Sequence, residues 1–154
     1  MAFLKVLADW VEALELRFTQ FLVAALIAVV FGQVIARYIL KVEMLWSQEA
    51  SLFCFIWSSF LGAAIAVRRK SHFVFDLLPP DQPAVRIVSI TGMLALALLC
   101  FAVGLENALA EWNRFSEPSG FRFIWFVLSI PIMGASMLLF LIEEIIIGRR
   151  PKKE

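Results

Sequence analysis

Histidine and tyrosine each occur once in this 154-residue chain, cysteine only twice, and charged residues make up 18% of it. Each scarcity excludes something. Haem held within a bilayer needs axial ligands there, usually histidine, and the lone His72 falls between apolar runs rather than inside one. Thiol exchange needs paired reactive cysteines, whereas Cys54 and Cys100 stand alone in apolar stretches and read as small hydrophobes. A disulfide between them is geometrically conceivable, but nothing in the sequence supports it. A formal net charge of +1 leaves no basic surface of the kind that neutralises nucleic-acid phosphates. The middles of the long apolar runs also lack ionisable residues, the usual marks of ion pathways and proton relays.

What is abundant is apolar. Hydrophobic residues make up 62% of the chain and the mean hydropathy is +0.86, far from the composition of a soluble domain. A hydrocarbon core about 30 Å thick takes roughly 20 residues per helix, so this length accommodates four spans with short connections. The fold class is therefore all-α integral membrane, a single domain over 1–154, with spans expected at about 18–40, 50–67, 87–105 and 123–142. Ahead of them, residues 1–17 place Phe3, Leu7, Trp10 and Leu14 at helical spacing, with Asp9, Glu12 and Glu15 interspersed on the polar side. This pattern predicts an amphipathic helix in the cytoplasmic membrane interface, with Trp10 as its headgroup-level anchor. The acids in this segment do not suit a cleaved signal peptide, so the N-terminus is expected to be retained.

Small residues recur every fourth position in the first span (Ala24, Ala28, Gly32, Ala36) and in the second (Ser58, Gly62, Ala66). Such faces admit the close approach of another helix. Pro131 falls inside the fourth run, where the lost backbone donor predicts a bend. Residues 71–85, with Pro79, Pro80 and Pro83, read as a short membrane-hugging turn.

Lys and Arg in the connections set the orientation. Ten lie in the N-terminus, the second connection and the C-terminus, against Arg37, Lys41, Arg114 and Arg122 in the first and third connections. Both termini and the His72 connection are thus predicted to be cytoplasmic, with Trp46, Glu49, Trp112 and Trp125 toward the opposite face. Across the short first connection, Arg37 and Glu49 are expected to form a partly buried ion pair. Arg68-Arg69-Lys70 reads as a topology anchor on anionic headgroups, with Asp76 offsetting one cation.

The order Gln33-Val34-Ile35-Ala36-Arg37-Tyr38, then Leu45-Trp46-Ser47-Gln48-Glu49, then Phe55-Ile56-Trp57 and Gly62-Ala63-Ala64, leads into Arg68 to Leu78 with His72 and Asp76. This series resembles the small membrane subunit of tripartite ATP-independent periplasmic (TRAP) transporters, the DctQ-like Q subunit, and Ser129-Ile130-Pro131 resembles that family's Pro-containing last span. The resemblance implies a bacterial inner-membrane scaffold, not an enzyme, in a sodium-coupled importer of organic acids such as sialic acid or a C4-dicarboxylate. Its implied partners are an elevator-type large membrane subunit, a periplasmic substrate-binding protein and membrane lipids. No cofactor is implied for this chain, and Na+ is expected on the large subunit. The structural or interface candidates are Arg37, Trp46, Glu49, Arg68, His72 and Asp76. The connections 41–47 and 107–120 are candidates for touching the binding protein. On the residues alone, a stand-alone small carrier, a membrane anchor of a redox enzyme and an assembly factor stay open.

Overall fold

A computed structural model describes residues 2–42, 44–69, 83–116 and 120–147. Helix α1 (Ala2–Ile35) runs into a π-helical turn (Ala36–Leu40). It is followed by α2 (Leu45–Arg68), α3 (Pro83–Ala110), the single turn α4 (Ile124–Val127) and α5 (Ser129–Ile147). Four helical stretches are long and apolar enough to cross a membrane: Phe3–Leu40, Leu45–Arg68, Val88–Ala110 and Ile124–Ile146. They coincide with the four apolar runs of the sequence. Their ends extend beyond them because hydropathy marks lipid contact, whereas helical hydrogen bonding continues into the headgroup region.

A separate interfacial helix is not observed. α1 passes through Phe18 without a break, and its 34 residues rise roughly 50 Å, well beyond one hydrocarbon thickness. Packing accounts for the difference. Ala8 is fully buried and joins the core cluster with Ala64 and Val67 of α2, Ala97 of α3, and Met133, Met137, Phe140 and Leu141 of α5. The opening segment is thus gripped by the bundle. Asp9 and Glu12 pair with protein cations, although Asp9 stays about half-exposed, while Trp10 remains 74% exposed on the outside.

α5 is the central helix, packed on α2 and α3 and also touching α1; α1 lies against α2. The backbones of α3 and α5 come close together. An added Cβ at Gly134 would stand 2.6 Å from the backbone nitrogen of Phe101, and one at Gly104 would stand 2.9 Å from the ring of Pro131. The small-residue faces named from the sequence are used less. Ala24, Ala28 and Gly32 are exposed, with nothing within 4 Å of a Cβ at Gly32; only Ala36 of that series is buried. Ser58, Gly62 and Ala66 are half-buried. A four-residue repeat says that a helix can come close, not that one within the same chain does.

The fourth span breaks as the proline predicts. α4 stops at Val127, whose carbonyl Pro131 cannot serve, and α5 begins at Ser129, so Pro131 sits in the first turn of α5. Pro83 likewise opens α3 rather than belonging to the preceding connection. Cys54 and Cys100 are both free.

Candidate functional site

Three helices meet around one guanidinium. Arg68 is the last residue of α2, and its side chain is only 4% exposed although it ends a spanning segment. Nη2 donates to Asp9 Oδ1 at 2.6 Å, and Nη1 donates to Glu12 Oε2, both on α1. Nε and Nη2 form a forked pair with the two carboxylate oxygens of Glu143 on α5, at 3.1 and 3.2 Å. The guanidinium also lies 5.1 Å from the ring centroid of Phe140. Arg69, half-exposed, adds a bond from Nε to Glu12 Oε1 at 2.8 Å.

Only arginine fits this arrangement. Its planar fork carries five donors, so one cation can serve carboxylates arriving from two directions, whereas an ammonium presents a compact point charge. Glu143 is 2% exposed, which makes the pair with Arg68 a desolvated one. One turn beyond Glu12 on α1, Glu15 is also buried and accepts a hydrogen bond from the Ser136 hydroxyl of α5. The Arg68 cluster therefore ties α1, α2 and α5 at the end of the bundle expected to face the cytoplasm, and the Glu15–Ser136 bond ties α1 to α5 again about two helical turns further along α5. For Arg68 this replaces the headgroup-anchor reading: its partners are protein carboxylates. His72 and Asp76 lie outside the described residues.

The sequence contained a signal for these partners. Asp9, Glu12 and Glu15 repeat every third residue in a segment that leads straight into a span, and the second span closes on consecutive cations. Acids taken as the water-facing side of an amphipathic helix were complementary to that run.

The opposite end is organised differently. Arg37 and Glu49 do not pair. Glu49 accepts a hydrogen bond from the Ser116 hydroxyl, while Arg37 stands in the π turn beside Gln33 and Gln48. Adjacent residues on a helix point about 100° apart, so the face that turns Gln48 toward Arg37 turns Glu49 away from it. Arg37→Gln is accordingly expected to lower stability by no more than about 1 kcal/mol, the range for an exposed charge. Reversible unfolding in mixed detergent micelles checks this, and a loss near 3 kcal/mol would restore the buried-pair reading.

Beyond Glu49, residues 114–116 and 120–123 fold back on each other. Phe115 and Arg122 form an antiparallel bridge, Ser116 N–H bonds the Phe121 carbonyl at 2.8 Å, and Gly120 takes a φ of 70°. An aromatic series runs below this hairpin. Phe18 meets Trp57 edge-on at 6.1 Å, Trp57 meets Phe53 at 5.8 Å, and Phe53 meets Phe126 at 5.7 Å. The Trp57 indole N–H donates to the Trp125 carbonyl at 2.8 Å, which satisfies a backbone group near the α4–α5 break. Trp46 and Trp125 keep more than half their surface exposed, as an aromatic belt requires.

Comparison with known proteins places this architecture. Residues 26–150 match the family described as tripartite ATP-independent periplasmic transporters, DctQ component. The sialic acid TRAP transporter small permease protein SiaQ of Vibrio cholerae is 30% identical over 149 residues, covering 92% of this chain and 85% of that protein. The C4-dicarboxylate TRAP transporter small permease protein DctQ of the same organism is 29% identical over 105 residues, covering 68% and 44%. The sialic acid TRAP transporter permease protein SiaT of Haemophilus influenzae is 23% identical over 119 residues, 74% of this chain but 19% of that longer protein.

Proposed function

This chain belongs to the DctQ component family of the TRAP transporters, and we propose that it is the static scaffold of a sodium-coupled, binding-protein-dependent importer of organic acids. It is a multi-pass inner-membrane transporter component and not an enzyme. Its cargo class in this reading is the one named for its relatives, sialic acid or a C4-dicarboxylate. Its partners are a large membrane subunit that carries substrate and Na+ by an elevator-like motion and a periplasmic binding protein that delivers the substrate. Both termini face the cytoplasm.

The observation that carries the reading is the Arg68 cluster. A wall beside a moving transport domain must not shear, and one buried guanidinium fastens α1, α2 and α5 together at one membrane surface. The middles of the apolar runs carry no ionisable residue of their own, and Glu15, which α1 brings to the level of Ser136 in the fourth span, is buried and held by that hydroxyl. The small exposed face Ala24, Ala28 and Gly32 suits contact with a neighbouring protein.

Proteoliposomes containing the large subunit, the binding protein and this chain test the proposal. Sodium-driven uptake is expected only with all three, with this chain alone giving none. Uptake by this chain alone would make it a carrier and end the scaffold reading. A second check removes residues 2–12, which deletes Asp9 and Glu12. Co-purification with the large subunit and uptake are both expected to fall at least several-fold, and full retention of both would count against the scaffold role.

A further inference from the structure

Arg37 and Lys41 project from the end of the bundle opposite Arg68, and neither pairs with a carboxylate among the described residues. Glu43, outside the described residues, supplies at most one negative charge to these two cations. The local backbone is unusual. The helix widens into the π turn Ala36–Leu40 and stops at Lys41, which adopts a left-handed φ of 55°. Turns of this kind occur mostly as isolated insertions in α-helices and frequently at functional sites. Beside the turn lies a crevice of about 70 Å³, lined by Arg37, Gln33 and Gln48 together with Val42, Met44 and Leu45.

A second feature shares the same helix face. Leu26, Ile27, Val30, Phe31 and Val34 form an open, wholly apolar strip on α1. Leu26, Val30, Gln33 and Arg37 follow one another at spacings of four, three and four, so the strip runs along α1 to the polar crevice. Its eight-residue length corresponds to roughly 12 Å of helix rise. A guanidinium flanked by two glutamines, at the end of an apolar strip that descends along the helix, matches an amphiphile with an anionic head.

We propose that this face retains one anionic phospholipid, its phosphate on Arg37, Gln33 and Gln48 and one acyl chain along Leu26 to Val34. Any apolar face in a bilayer is covered by hydrocarbon; the selectivity comes from the head. Arginine grips phosphate with parallel donors, and Lys41 adds a point charge that favours a net negative lipid over a zwitterionic one. The binding site is independent of the transporter reading, and only the assignment to the extracytoplasmic leaflet rests on the orientation given above.

The full chain, purified and delipidated in neutral detergent, is titrated with phosphatidylglycerol under native mass spectrometry. One molecule is expected to be retained, with about tenfold weaker binding for Arg37→Gln, partial recovery for Arg37→Lys and no change for Arg114→Gln, which alters a cation already paired with Glu111. Equal retention by wild type and Arg37→Gln, or equal binding of phosphatidylcholine, overturns the proposal. Glycerol phosphate, which lacks acyl chains, is expected not to bind measurably; binding as tight as that of the lipid would reduce the site to an anion site and overturn it too. In the assembled transporter, a photoreactive phenylalanine analogue replacing Val30 is expected to cross-link lipid. Cross-linking to the large subunit would instead make this face a protein interface and overturn the proposal.

Discussion

Arg68→Leu is expected to lower the stability of the bundle by about 3 to 5 kcal/mol, the cost of removing one partner of a desolvated pair. Three carboxylates lose their common cation: Asp9, Glu12 and the 2%-exposed Glu143. Arg69 still reaches Glu12, but it is half-exposed and approaches from the rim. Arg68→Lys is expected to fall between leucine and wild type, since an ammonium keeps the charge but not the fork that spans α1 and α5. Glu143→Gln in the Arg68→Leu background is expected to recover part of the loss, because it removes the most buried of the three carboxylates that Arg68 serves. Unfolding curves in mixed micelles, read by tryptophan fluorescence, measure all three. A wild-type midpoint for Arg68→Leu would mean that the cluster does not hold the three helices together. In the reconstituted transporter, the same variant is expected to reduce co-purification with the large subunit in parallel with stability. Uptake lost with the complex intact would assign Arg68 a role beyond fastening.

The second large effect is steric. Gly134→Ala adds one carbon at 2.6 Å from the Phe101 nitrogen, 2.9 Å from its Cα and 3.0 Å from the Ala97 carbonyl oxygen. All three are backbone atoms of α3, so no rotamer change relieves the overlap and the two helices must separate. Overpacking of this kind costs about 1 to 3 kcal/mol, and the rigid neighbours place it at the upper end. Gly62→Ala is the matched control. Nothing lies within 4 Å of its added Cβ, and alanine is preferred over glycine in a helix by up to about 1 kcal/mol. The same chemical change is therefore expected to destabilise at one position and to be neutral or stabilising at the other. Equal effects of the two substitutions, by the same unfolding measurement, would mean that α3 and α5 do not approach as described.

The contrast between these glycines shows where sequence reading works. Gly62 falls in a regular series with Ser58 and Ala66, yet its surroundings are open; Gly134, which has no small residue four positions to either side, meets the α3 backbone directly. Periodicity reports which face of a helix is smooth. It does not report which helix lies opposite. The charged edges divide in the same way. Arg68 was legible as a notable cation from its place at the end of an apolar run, but its partners on α1 and α5 lie 56 to 75 residues away in sequence. Arg37 and Glu49 are close in sequence and were expected to pair, but the pitch of α2 and the π turn point them apart.

The sequence by itself determined the membrane class, the four spans and the lack of ionisable groups at their middles. The reason is physical: in hydrocarbon each backbone polar group must be satisfied within its own segment, so a long apolar run has little choice but a helix. The helix order, with α5 at the centre, was decided only in the tertiary structure. So were the inward turn of Arg68 and the unbroken continuation of residues 2–17 into the first span. Lipid and side chains are equally apolar, so apolar content does not choose a helix's neighbours. That choice comes from where backbones fit closest and where buried charges find their partners.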